Sequence, residues 1–170
     1  YKATEPDYGT MAQFETFLAA AHQRGIKVIL DMVFNHSSYQ HPWFQSAATG
    51  TGTQYEDYYV WRTTNPGSAW RTNTVSHTNP KVNNFWGKFG TSTPDLNFYN
   101  SSVRNTVKDI SNYWLTLRNV DGFRLDAAPF LYETGSAIPD NNQQNLPATY
   151  AYWRSWRQYI KDNAKPSVQP

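Results

Sequence analysis

Gly25-Ile-Lys-Val-Ile-Leu-Asp31-Met-Val-Phe-Asn35-His36 is the stretch whose reading decides the fold. Residues 26–34 are a nearly continuous apolar run rich in β-branched side chains, and a strand apolar on both faces belongs in a parallel sheet covered on both sides. Upstream, Thr10 followed by Gln13 is a capping-box pattern that opens a helix. Met11, Phe14, Phe17, Leu18 and Ala21 then recur at helical spacing, and Gly25 stands where that helix should end. Helix followed by buried strand is an α/β signature.

Downstream the pattern breaks and then resumes. Residues 37–95 hold five glycines, four prolines and four tryptophans (Trp43, Trp61, Trp70 and Trp86). An excursion this long inside a compact domain is usually functional or a small subdomain. The bland reading of its tryptophans is packing. Ser101 or Ser102 can cap the next helix, whose Val103, Val107, Ile110, Trp114 and Leu117 are spaced 4, 3, 4, 3. A second strand, Val120-Asp-Gly-Phe-Arg-Leu-Asp126, follows directly. After the polar loop 140–145, Pro147 opens a last helix with Trp153, Trp156 and Ile160. Lys165-Pro-Ser-Val-Gln-Pro170 reads as a loop leading into a further strand.

Composition narrows the classes. With 170 residues the chain is one domain's worth, and 7 Trp, 12 Tyr and 9 Phe are too many aromatics for a disordered chain. No run of about 18 apolar residues exists to span a membrane. The absence of cysteine excludes a disulfide scaffold, a thiol nucleophile and a zinc ribbon. A net charge of +2 without a Lys/Arg run makes nucleic acid a poor partner. Low charge with abundant Trp, Tyr and Asn leans toward a sugar-facing surface. The chain begins at Tyr1 without Met or a signal peptide, so its start is read as processed or cut, and localisation is not legible there; a secreted or periplasmic place is slightly favoured.

Each strand ends in polar groups. Period two puts Asp31, Val33 and Asn35 on one face, with His36 at the carboxyl edge; Gly122, Arg124 and Asp126 share a face of the second strand. An Arg and an Asp two residues apart in a buried strand must be paired or must face a site, because an isolated buried charge costs several kcal/mol. Parallel α/β sheets place ligand sites at the carboxyl ends of their strands. Against this stands a plain structural reading, an Asp31–Arg124–Asp126 network that ties neighbouring strands together. Asn35-His-Ser37 and Asn100-Ser-Ser102 match the glycosylation acceptor, a pattern that arises often by chance.

The motifs carry a resemblance. Residues 25–36 resemble the first signature of the α-amylase family (glycoside hydrolase family 13), and Asp121-Gly-Phe-Arg-Leu-Asp126-Ala-Ala resembles its second. Thr93-Pro-Asp-Leu-Asn97 is similar to the signature near the end of the family's inserted domain. The resemblance covers nearly the whole chain. It implies part of a (β/α)8 TIM barrel, about strands 3–4 with helices 2–4, and an irregular domain B inserted after strand 3. Barrel residues would be 1–36 and 98–170, and domain B 37–97. Helices are expected at 10–24, 102–118 and 148–163, with strands at 26–34 and 120–126.

The resemblance also implies roles. Asp126 would be the nucleophile that forms a β-glycosyl-enzyme intermediate. Arg124 would keep that carboxylate ionised and oriented, Asp31 would brace Arg124, and His36 would hydrogen-bond the sugar at the scissile bond. Asn35, Asp95 and the Phe130 carbonyl match positions that ligate a structural calcium in many members. The implied substrate is an α-glucan or maltooligosaccharide. Pro129-Phe130 departs from the Lys-His that many amylases carry there; the Pro-aromatic form occurs in α-glucosidases and trehalose synthases. Thr93 stands where amylase-like and glucosidase-like members divide and fits neither group.

A retaining glycosidase needs a second carboxyl group as general acid/base, in this family a Glu ending the fifth strand, with a third Asp after the seventh. Glu5, Glu15, Glu56 and Glu133 are the only glutamates, and none ends a strand of its own. The expectation is therefore a fragment of a larger enzyme, inactive and poorly stable by itself because half a barrel leaves open sheet edges. Hydrolysis of α-1,4 bonds leads. Transfer of the glucosyl unit to a sugar, as by a trehalose synthase, stays open, as does a non-catalytic amylase-like interaction domain.

Overall fold

The structure is a computed structural model that describes residues 1–132 and 144–163. Glu133, most of the polar loop 140–145 and the tail 165–170 lie outside the described residues. The elements run α1 (Met11–Gln23), β1 (Ile29–Val33), α2 (Pro42–Ala47), β2 (Trp61–Arg62), β3 (Trp70–Thr72), β4 (Asn84–Trp86), α3 (Ser101–Asn112), β5 (Gly122–Asp126) and α4 (Pro147–Asn163). No described helix is long and apolar enough to cross a membrane. The chain divides into two compact units, Tyr1–Met32 with Asn105–Leu125 and the segment from Tyr152, and Val33–Arg104 with Asp126–Ala151.

In the first unit, α1 opens on the capping box: the Gln13 N–H donates to Thr10 Oγ1 while the Gln13 side chain receives the Thr10 N–H. Gly25, at φ 70°, ends the helix turn. The strands β1 and β5 lie side by side. The Asp121 N–H donates to the Val28 carbonyl at 2.9 Å, and Arg124 reaches Asp31 further along. Both pairs advance in the same sense, so the strands are parallel. The expectation of a strand buried on both faces does not hold for β1. Met32 is buried, but Ile29 is 60% exposed, because among the described residues β5 is the only strand beside it.

The apolar stripe of α3 holds through Val103, Val107, Ile110 and Trp114, all buried, and then fails: Leu117 is 67% exposed. Residues Tyr113–Leu117 continue as a π-helix, whose wider turn shifts the phase of the stripe and buries Leu115 instead. The cap of α3 is also corrected. Asn100 Oδ1, not Ser101 or Ser102, accepts a helix-start N–H, that of Ser102, at 2.8 Å.

The second unit is built on an antiparallel sheet of order β2-β4-β3. Phe44 of α2 is fully buried with Tyr39, Tyr59, Trp61 and Phe85 around it at ring-centroid distances of 4.7–5.5 Å. Trp70 and Trp86, paired on neighbouring strands, meet edge-on at 5.5 Å. These tryptophans pack. A short ladder closes the neck of the unit. The Leu96 N–H donates to the Asn35 carbonyl, Ser37 to Pro94 and Tyr39 to Ser92, at 2.8–3.0 Å, with His36 opposite Asp95.

Candidate active site

Strand geometry sets where the charged groups sit. Asp31 on β1 and Arg124 on β5 are partners: one guanidinium nitrogen, Nη1, donates to both carboxylate oxygens at 3.0 and 2.9 Å. Their side chains are 60% and 56% exposed, so the cost of an isolated buried charge does not explain why they stand together. An exposed pair of this kind contributes about 0–1 kcal/mol. Asp126 lies two residues beyond Arg124 at the carboxyl end of β5, and Ala127 after it takes the left-handed conformation, φ 52°. That turn ends the strand and starts the short helical turn Ala128–Phe130.

Asp126, Asn35, His36, Asp95 and Phe130 belong to the second unit. His36 Nδ1 donates to Asn35 Oδ1 at 3.1 Å, which fixes the tautomer of the neutral ring. Burial holds the His36 imidazole below its usual range, and the charge of Asp126 pulls the other way. Asn35 Nδ2 donates to the Phe130 carbonyl at 2.5 Å, and Asp95 Oδ1 accepts the Lys88 N–H at 3.0 Å. Asn35 and Asp95 are fully buried, which rules out Asn35 as a glycan acceptor. Asn100 is occupied as the cap of α3.

Amide, carboxylate and peptide carbonyl are the hard oxygen donors that calcium takes, so the donor type at Asn35, Asp95 and Phe130 fits. Binding would exchange the Asn35–Phe130 hydrogen bond for ion–oxygen contacts. Among the described residues no cluster of three or more His, Asp or Glu gathers for a metal, so most of the ligands would be neutral.

Sequence reasoning passed over Phe89. It is 50% exposed, 5.5 Å from the His36 ring and in edge contact with Phe130 at 5.4 Å. Lys88 Nζ stands 5.4 Å from the centre of the Phe130 ring. The turn that presents Phe89 depends on Gly87, where a Cβ would come within 2.5 Å of the Gly90 carbonyl. Two glycines around an aromatic, directly before Thr93-Pro-Asp95, were the available signal. Asp121, quoted within a motif but given no role, is a clamp at the other end of β5. It accepts from the Val28 N–H at 2.8 Å, His22 Nε2 at 2.7 Å and Lys27 Nζ at 3.0 Å. Burial alone would raise its carboxyl, but these bonds outweigh that and hold it at about 2.

Two of the described glutamates are engaged by other partners. Glu56, nearly buried, receives Lys81 Nζ at 2.7 Å and the Gly52 N–H at 2.9 Å; Glu15 pairs with Arg118.

Residues 1–168 match the family model for the α-amylase catalytic domain. The chain is 38% identical over 171 residues to Alpha-amylase 3 of Dictyoglomus thermophilum, covering 99% of this chain and 30% of that one. It is 36% identical to the trehalose synthase of Pimelobacter sp., covering 96% and 29%. It is 40% identical to an amino acid transporter heavy chain of Homo sapiens, covering 78% and 21%. Among solved structures, the trehalose-6-phosphate hydrolase of Bacillus licheniformis superposes with TM-score 0.83 at 28% identity, covering 95% of this chain and 32% of that one. The chain thus spans about a third or less of the length of these relatives. The solved neighbours are (β/α)8 barrels, and this chain carries part of such a barrel.

Proposed function

The chain belongs to the α-amylase family, and from that premise we propose that it carries the nucleophile side of a retaining glycosidase acting on α-1,4-linked glucans or maltooligosaccharides. The observation that supports this most is the setting of Asp126. It ends β5 two residues beyond an Arg124 already straddled on Asp31, and its charge is felt by His36.

In this reading an Asp126 oxygen attacks the anomeric carbon as the bond to the leaving oxygen breaks. That oxygen takes a proton from a general acid outside the described residues, about 5–5.5 Å from the nucleophile in retaining enzymes. Arg124 orients the nucleophile, Asp31 supports Arg124, and His36, whose Nδ1 is spent on Asn35, turns Nε2 to a sugar hydroxyl. A water then releases the glycosyl unit. Asn35, Asp95 and the Phe130 carbonyl would hold a structural calcium that pins the start of the inserted segment.

Transfer to a sugar acceptor is the second reading. It is favoured by the Phe89–Phe130 contact, which sets an aromatic surface beside His36 on which a sugar acceptor could stack. The retained Asp31, His36, Arg124 and Asp126 speak against a purely non-catalytic domain.

The test uses the protein as naturally expressed. A fluorinated glucosyl fluoride, which traps a glycosyl-enzyme, should label the peptide containing Asp126, and Asp126→Asn should cut turnover of maltoheptaose by about a thousandfold or more while leaving its binding in place. Label on another carboxylate, or normal turnover by the variant, overturns the assignment. Product analysis separates glucose release from transfer.

A further inference from the structure

The ladder that closes the neck of the second unit leads away from His36 into a cleft that the proposed chemistry does not use. The cleft is open to solvent on one side and has a volume of about 470 Å³, within the range of ligand pockets. Three segments line it: residues 38–40, Thr72 with Thr74, and Thr91 with Ser92. Tyr39 joins all three. Its N–H donates to the Ser92 carbonyl at 2.8 Å, its hydroxyl shares a hydrogen bond with Thr74 Oγ1 at 2.8 Å and also accepts the Thr74 N–H at 3.1 Å. Its ring is held against Phe44 and Phe85 at 4.7 and 5.8 Å. The walls are therefore preformed, which lowers the entropy cost of binding.

The lining chemistry is selective. Among the described residues no charged side chain lines the cleft, so they offer no ion pair to a phosphate, a carboxylate or an ammonium group. What it offers is neutral. The side chains of Gln40, Thr72, Thr91 and Ser92 make no hydrogen bond to other described residues, leaving an amide and three hydroxyls for a ligand. Threonine methyls and the Tyr39 ring add apolar surface between them. Alternating hydroxyls and C–H faces are the chemistry of an uncharged saccharide. The cleft also begins where the catalytic cluster ends: Ser38 is two residues past His36, and Thr91 two past Phe89. Two residues, Ser37 and Ser38, separate Tyr39 from His36, a path of at most about 10 Å over three extended steps.

We infer that this cleft is a further subsite for a neutral oligosaccharide, so that the protein engages a glucan chain over several units rather than a disaccharide alone. The inference rests on the α-glucan reading given above for the catalytic cluster.

The test compares the naturally expressed protein with Thr72→Trp, which fills the cleft from an exposed position on the edge strand β3, and Gln40→Ala, which removes one amide. Maltose and maltoheptaose are the probes. The KM for maltoheptaose should rise about tenfold in Thr72→Trp, and a few-fold in Gln40→Ala, the loss of one hydrogen bond. Turnover of maltose should stay within twofold. Equal effects on both sugars, or none on either in two folded variants, overturn the subsite. Direct binding of maltoheptaose, followed by calorimetry, separates this failure from that of the catalytic reading. If the protein cleaves neither sugar, binding that Thr72→Trp weakens about tenfold keeps the subsite and refutes the activity. Binding unchanged by the variant, or no binding, refutes the subsite.

Discussion

Replacing Asp121 with Asn removes one charge and turns one acceptor oxygen into an N–H2 donor. The side chain keeps its shape, and its remaining oxygen can still accept the Val28 N–H. Lys27 and His22 lose their anion. The carboxyl is mostly enclosed, 12% exposed, and is held at about 2 against an ordinary 3.8. That difference corresponds to about 2 kcal/mol of stability at neutral pH. The folded-state value lies below the unfolded one, so the contribution is complete above about pH 5 and is lost as pH falls toward 2; about half remains at pH 3. Urea unfolding of the wild-type protein and Asp121→Asn, followed by tryptophan fluorescence from pH 7 to pH 3, should show an offset of about 2 kcal/mol that narrows as the pH drops. An offset that stays constant across the range, or one below about 0.5 kcal/mol at pH 7, refutes the reasoning: the loss would then be packing, or the clamp would carry no net stability.

Two further outcomes follow from the second unit. Burial holds the His36 pKa down while Asp126 pulls it up, so Asp126→Asn should lower it further; an NMR titration of the ring protons reads the shift, and a rise would contradict the placement. If Asn35, Asp95 and the Phe130 carbonyl hold calcium, chelation should lower the unfolding temperature, and excess calcium but not magnesium should restore it. An unfolding curve indifferent to chelator would leave the Asn35–Phe130 hydrogen bond as the whole of that junction.

Legibility followed the range of the interaction. The start of α1 was readable because Thr10 and Gln13 satisfy each other within one turn. At the start of α3 the cap was read as Ser101 or Ser102, whereas the backbone conformation selects Asn100, one residue earlier. The end of α3 misled because a stripe spaced 4, 3, 4, 3 presumes 3.6 residues per turn, while Tyr113–Leu117 wind more loosely. For β1 the element was legible but its burial was not, since the exposure of Ile29 depends on what lies beside the strand. In the site, Asp31 and Arg124 could be paired from strand period and motif. Phe89 could not, because its contact with His36 spans more than fifty residues of sequence and exists only once the turn at Gly87–Gly90 has formed.

The ladder joining residues 35–39 to 92–96 has a consequence for how this region can change over time. It holds the two ends of a segment of some fifty residues a strand's width apart, so extra length in the turns between them is felt chiefly through loop closure. Loop-closure entropy grows only logarithmically, and doubling the enclosed length costs about 0.6 kcal/mol. Added length in its exposed turns is therefore thermodynamically mild, provided the neck residues and the core around Phe44 survive. The penalty falls on kinetics instead, because partners so distant in sequence meet late. Evolution can lengthen those turns at little cost, and the folding rate, rather than the final stability, sets the limit.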